Sequence, residues 1–416
     1  MTLLAGLSTG NGAAWDTHGP ASSGTVEHDL SVAPSSLRTQ GRRSDARNPS
    51  SSRARTDDFG ELIRSKADGG VVVVPNGTYY ISDVNGFSPT RPLVLVAESE
   101  GGVVVTRRSG AAEGETDLQL DGVQDIAFVG IHFRYVTLRI DNSSDVHLWY
   151  TSHTYPPEQK PRPRHKVCGG GRSPDGILMS NVRNVKFHGI ELDRIGNDGL
   201  KISAIRDAQI VGASLTNIDH KSYQTDTTAA ESARCGQKPS DKFYHSDAIQ
   251  IYPGDVRNFV VSDSFSDRHL MLQVEKPGAS VSGFRIQNTW LSNPLRDCVT
   301  INTRVKSAAG NTPMELIVVD STSWCAPKPE KWHFYTKNTT SAHELLVGNV
   351  TYETSKNAPS QTPADDWKAK FPYEAWGCFL TEDIGWTQLG ASCTHSGFPS
   401  YRGPSTTPTT PVIHSY

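Results

Sequence analysis

The sequence predicts an all-β solenoid, a single-stranded, right-handed parallel β-helix with a short capping helix at its amino end. Three observations point there. A phrase recurs at a nearly fixed interval, apolar residues alternate inside each recurrence, and a second short apolar run follows each one. The phrase reads Asp175-Gly176-Ile177-Leu178-Met179, Asp198-Gly199-Leu200-Lys201-Ile202, Asp247-Ala248-Ile249-Gln250-Ile251 and Asp297-Cys298-Val299-Thr300-Ile301. Asp175 and Asp198 stand 23 residues apart, and Asp247 and Asp297 stand 50 apart, which leaves room for one more unit. That unit is Leu270-Met271-Leu272-Gln273-Val274, read with Leu270 in the Asp place. A polar insertion at 219–244 lengthens the remaining interval. Recurrence of this length means stacked units, each too small to bury its own apolar side.

The alternation is the period-two pattern of strands with one buried face. Leu200/Ile202, Ile249/Ile251, Leu272/Val274 and Val299/Ile301 are expected inside. Lys201, Gln250, Gln273 and Thr300 are expected outside, one above the next at about 4.8 Å. Second strands follow at Val185–Phe187, Gln209–Val211, Phe259–Val261, Phe284–Ile286 and Leu316–Val318, with Gly, Asn and Asp between the strands.

A chain of 416 residues exceeds one ordinary domain, but a solenoid grows by adding turns. An apolar content of 36% with 36 Gly and 25 Pro suits short strands and many turns. The formal net charge of −3 points away from nucleic acid, and no stretch reaches the roughly 20 apolar residues of a membrane span. The expected state is a monomer. The six cysteines form no C-x-x-C or His/Cys metal pattern. Pairing of Cys168 with Cys235 and of Cys378 with Cys393 is expected, in keeping with secretion.

In chain order, Met1–Leu7 has some character of a secretion leader, and residues 1–56 form a Ser/Arg/Gly/Pro-rich segment without periodicity. A helix opens at Asp57-Asp58-Phe59, with Phe59, Leu62, Ile63 and Ala67 on one face and acidic residues in its first turn. It caps the open end of the solenoid and blocks edge pairing. The β-helix domain runs over 57–355. Its early turns are Leu93–Val96 with Val103–Val105, Leu118–Leu120 with Ile126–Phe133, and Leu138–Ile140 with Val146–Trp149. Insertions at 150–173 and 219–244 flank one face, and loops this long in a regular solenoid tend to be functional. Trp367, Phe371, Tyr373, Trp376, Phe379 and Trp386 form a carboxy-terminal cap within 356–403, and 404–416 is a tail.

Gly69-Gly70-Val71-Val72-Val73-Val74-Pro75-Asn76-Gly77-Thr78-Tyr79-Tyr80-Ile81 resembles the entry segment of the pectate-lyase-like β-helix superfamily. The Asp-Gly-Ile and Val-x-Phe repeats extend the resemblance over about residues 57–355. It implies the fold, and a choice among polysaccharide lyases, glycoside hydrolases, uronan epimerases and phage tailspikes.

The best-equipped rungs carry Lys201, His245, Asp247, Gln250, Tyr252, Arg268, His269, Gln273 and Glu275 on or beside one face. The loop Lys160-Pro161-Arg162-Pro163-Arg164-His165-Lys166 adds a cationic wall, and together they suit an acidic, uronic-acid polysaccharide. Its cleavage by β-elimination needs a neutralised carboxylate, a base and an acid. Lys201, His245, Asp247 and Arg268 are the expected catalytic set, with Lys201 as base only if its pKa is depressed. Gln250, Tyr252, His269, Gln273 and Arg164 are the expected substrate contacts. Asp198 and Glu275 are the expected oxygen ligands of a Ca²⁺ ion, with Asp247 beside them. The superfamily's lyases resemble this scheme, with a Lys or Arg base and often calcium. The Trp-Ile-Asp-His and Arg-x-Pro-x-x-Arg segments of pectate lyases are absent here. Asn197-Asp198-Gly199 resembles the Asn-Thr-Asp motif of polygalacturonases, which makes Asp198 and Asp247 an acid/base pair for hydrolysis, although the rest of that signature is missing. A non-catalytic, carbohydrate-binding or adhesive solenoid is the third reading. Asp before a strand also caps turns, and stacked Gln residues also serve cohesion alone.

Overall fold

Runs of three to seven residues with apolar side chains on alternate positions cannot close a core singly, so they close it by stacking. The computed structural model describes residues 57–108, 117–155, 175–196, 198–218, 247–251, 254–268, 270–274, 280–293, 299–303, 314–319, 322–325, 334–337, 342–347, 351–354, 361–373, 376 and 412–415. All lie in the unit Thr56–Tyr416. Each coil contributes one strand to each of three parallel sheets. Sheet I has 11 strands, from Gly70–Val74 to Ala342–Val347, closed by Val412–Ser415, which pairs antiparallel with the last coil inside the expected tail. Sheet II has 10, from Gly77–Tyr80 to Thr351–Thr354, and sheet III has 9, from Val84–Asn85 to Phe334–Lys337. The predicted parallel β-helix is the observed fold.

The core is a set of apolar columns. Ile177, Leu200, Ile249 and Leu270 stack in register in sheet III and are all buried. The amino-terminal end is sealed as expected. Helix Phe59–Arg64 is capped by Asp58, whose side chain accepts from the Glu61 amide at 2.8 Å. Its Phe59 enters the core against Phe128 and Phe133, at centroid distances of 5.8 and 6.4 Å.

Corners are set by residues in the left-handed region. Asn181, Asn217, Asn258 and Asn288 have φ between 41° and 55°, which Asn tolerates better than most residues. Their amides bond one coil back, Asn258 to Asp207 at 2.8 Å and Asn288 to Asp263 at 2.7 Å. Each therefore ties its own turn, or for Asn258 the bend within strand Val256–Ser262, to the coil before it.

Two features were not anticipated from the sequence. His153 points into the core, level with Phe133 and Leu192, and stacks on Phe133 at 4.6 Å. It is 1% exposed, neither ring nitrogen has a hydrogen-bond partner, and burial followed by the nearby His132 pushes its pKa down to about 3. Trp367, Phe371, Tyr373 and Trp376, expected in a carboxy-terminal cap, lie on the flank of the solenoid instead, and Phe379 and Trp386 lie outside the described residues. Helix Pro363–Lys370 and the residues after it cover an apolar stripe on the outside of sheet I, made of Val94, Val96, Ala127, Val129, Trp149 and Val211. Trp367 packs on Tyr150 and His188, the Tyr150 hydroxyl donates to the Phe371 and Pro372 carbonyls, and that of Tyr373 donates to the Ala97 carbonyl. Gly212 has φ +65°, and a Cβ there would lie 2.3 Å from the Trp367 ring, so the indole seats only over glycine.

Trp367→Ala removes the centre of this strap. It is expected to destabilise the strap by about 3–5 kcal/mol, seen in urea unfolding and in faster proteolysis after Lys368 and Lys370. Unchanged unfolding and proteolysis would contradict this packing.

Candidate functional site

The recurring Asp-Gly-Ile phrase has a physical cause. A Cβ on Gly176 would lie 2.5 Å from the Gly199 carbonyl oxygen, and one on Gly199 would lie 2.7 Å from that of Ala248. Glycine lets successive turns approach closely, and their amides donate across the gap, Gly176 to Asp198 and Gly199 to Asp247, both at 2.9 Å. The aspartates just ahead form a ladder. The Asp175 carboxylate accepts from the Asp198 amide at 3.1 Å, and the Asp198 carboxylate accepts from the Asp247 amide at 3.0 Å. All three are buried, at 9%, 1% and 0% exposure.

Three carboxylates on successive coils repel one another in a medium that solvates them poorly. Burial first, then Asp247 and Asp175, push the Asp198 pKa up to about 7, against the pull of Lys201 and the Asp247 amide. Lys201 lies on the outer face of sheet III, its side chain 33% exposed, and its Nζ donates to Asp198 Oδ2 at 3.1 Å. Burial opposes the lysine's charge, but Asp198, Asp175 and Asp247 outweigh it and raise its pKa. A lysine base would need a depressed pKa, whereas this shift runs the other way and favours the ammonium form of Lys201.

The register corrects the outward row. Gln250 stands level with Lys201 as expected, but the next positions in that column are Met271 and Thr300. Gln273 pairs with Asn302, two residues further along its strand. Counted back from the Ile249–Leu270 pairing, the Asp247 place is taken by Arg268 rather than Leu270. Arg268 sits at the corner between sheets II and III. Its Nε donates to the Ile218 carbonyl at 2.7 Å and its Nη1 to that of Asp267 at 2.9 Å. These bonds fasten the corner.

His245, Tyr252, His269, Glu275 and Arg164 lie outside the described residues, as do Asp297, most of both insertions and the expected cysteine pairs. A residue absent from the expected set joins the column. Arg139 is level with Leu178 and so two coils from Lys201, about 9.6 Å at the usual strand spacing. Its position between Leu138 and Ile140 was the signal. It is paired with Asp141 at 2.5 Å and is 40% exposed.

Of the two expected calcium ligands, Glu275 lies outside the described residues, and both oxygens of Asp198 are engaged within the chain. Asp198 offers one oxygen to an amide and the other to an ammonium, and no group of three His, Cys, Asp or Glu side chains among the described residues has a metal-holding arrangement. What the arrangement can do is hold and release a proton near neutral pH beside a fixed positive charge.

No family model matches the chain, and no curated protein matches it. Solved structures do. A mannuronic-acid-specific polysaccharide family 6 lyase from human gut microbiota aligns at 10% identity over 80% of this chain and 97% of that one, with a TM-score of 0.35. An endo-xylogalacturonan hydrolase from Aspergillus tubingensis aligns at 11% over 73% and 92%, TM-score 0.35. A surface adhesin of Streptococcus pneumoniae aligns at 11% over 71% and 86%, TM-score 0.32. Likeness of this order concerns the coil architecture, which the strand pairing establishes by itself.

The Asp198 shift has a definite sign in stability. Below its ordinary pKa of 3.8 the folded and unfolded chains both hold the proton. Between 3.8 and about 7 only the folded chain holds it, so this group's contribution falls as pH rises and is fully lost above about 7. Asp198→Asn has no such dependence. In urea unfolding at about pH 5 and about pH 8, the wild type is expected to lose stability relative to Asp198→Asn at the higher pH. An equal difference at both would contradict the shift.

Proposed function

We propose that this chain is a secreted carbohydrate-active enzyme that cleaves an acidic, uronic-acid polysaccharide along the outer face of sheet III, with Asp198 and Lys201 at the reacting centre. One observation supports this above the others: a buried carboxyl group poised near neutrality, in contact with a lysine that reaches the surface. A carboxyl partly protonated at neutral pH is suited to deliver a proton to a leaving glycosidic oxygen. Lys201, charged, is suited to meet the substrate's carboxylate through a charge-assisted bond. When its side chain turns to that carboxylate it uncovers Oδ2 of Asp198. Arg139 supplies a second cation further along the same column.

Hydrolysis is the chemistry that the described residues support best, with Asp198 as acid and Asp247 as the second carboxylate. Elimination needs a neutral base, and the stabilised ammonium of Lys201 works against that role. In that reading the base is His245, two residues ahead of Asp247, with Lys201 neutralising the carboxylate.

The test is product formation from polygalacturonate, alginate and other uronic-acid polymers. New reducing ends without absorbance at about 235 nm are expected for hydrolysis, since elimination alone creates the conjugated bond. Asp198→Asn is expected to lower kcat by about 10²–10⁴, and Lys201→Ala to raise KM for the acidic polymer. Unsaturated ends would move the assignment to elimination. Binding without either product would replace the enzyme by an adhesive solenoid.

A further inference from the structure

We infer that Gln250 determines specificity in this site by accepting a hydrogen bond from a hydroxyl of the sugar whose carboxylate meets Lys201. The inference rests on the proposed function, because it takes the ligand to be a carboxylated sugar.

The position of Gln250 is unlike the others on its column. Gln119, Arg139, Leu178 and Lys201, which precede it on the outer face of sheet III, are all partly exposed. Gln250 has the same outward parity, between core residues Ile249 and Ile251, yet is only 8% exposed. Its Oε1 is buried and has no hydrogen-bond partner. A buried carbonyl oxygen without a donor is a standing cost to the fold. In a cohesive amide ladder the neighbouring rung would remove that cost. Here the following rung is Met271, which offers no such donor, and the preceding one is Lys201, whose ammonium is bonded to Asp198. An acceptor without a donor, buried in the free protein beside a surface-reaching cation, fits a ligand that brings both a hydroxyl donor and a negative charge when the Gln250 side chain turns to meet it. The two rungs are one strand spacing apart, about 4.8 Å, which is within the span of a carboxylate and a hydroxyl on one pyranose ring.

The account separates ligand reading from cohesion, because the two make opposite demands on the free protein. Gln250→Met keeps the length of the side chain and removes the acceptor. Calorimetric titration with tri-galacturonate and tri-mannuronate in turn, and maltotriose as the uncharged control, gives the affinity; thermal unfolding without sugar gives the Tm. Gln250→Met is expected to bind the acidic trisaccharide about tenfold more weakly or worse, while its own Tm rises because an unsatisfied buried acceptor is gone. Unchanged affinity, or a lowered Tm, would overturn the assignment and return Gln250 to a cohesive role. If the wild type binds acidic sugar and the variant binds it equally, this inference alone falls. If the wild type binds neither acidic trisaccharide, the proposed function falls with it.

Discussion

A parallel coil satisfies its backbone on its neighbours, and that one requirement fixes everything else in this molecule. Each strand has its hydrogen-bonding partners in the coils before and after it, so the coils lock in register and every side chain acquires a column. Inside, the columns are Ile177, Leu200, Ile249 and Leu270, and they supply the burial that no single coil could. Outside, the same register forces like groups together whether or not their charges agree. Asp175, Asp198 and Asp247 share a column because they hold the same place in successive repeats. Their amide-to-carboxylate bonds make the crowding tolerable.

The site follows from that crowding. A lone Asp ahead of a strand would be an ordinary turn residue. Three of them stacked out of water make the middle one a weak acid, and the lysine three residues on becomes a firm cation by the same interaction. Burial is the largest cause of the first shift and opposes the second, and the stacked carboxylates contribute to both. The stack explains the Gly of the repeated phrase as well, since Gly176 and Gly199 are what let the turns bring those carboxylates so close.

Much of this was legible in the sequence. Period-two alternation and the 23-residue return located the strands, and Asp198, Lys201, Asp247 and Gln250 were placed on neighbouring rungs. The slip at Leu270–Val274 is instructive. A shift of two residues keeps every side chain on its own face, so alternation could not detect it, and only the backbone pairing puts Met271 above Gln250. Arg268 was read by its charge, whereas its bonds go to main-chain carbonyls that no sequence pattern displays. His153, not singled out in the sequence, sits in the core, because stacking on Phe133 suits a neutral imidazole. The aromatic residues near 367–373 announced a packing element, but where they dock depends on the stripe Val94–Val211, which is assembled from four coils and has no local signature.

The central claim is that burial, together with the stacking of carboxylates in consecutive coils, moves Asp198 to near neutrality, and a ¹³C NMR titration of the aspartate side-chain carboxyl carbons in the wild type and in Asp247→Asn tests it most directly. The expected wild-type midpoint for Asp198 is about 7, falling in the variant because one of its like-charged neighbours is gone. A midpoint near the ordinary value of about 4 in both proteins would contradict the account.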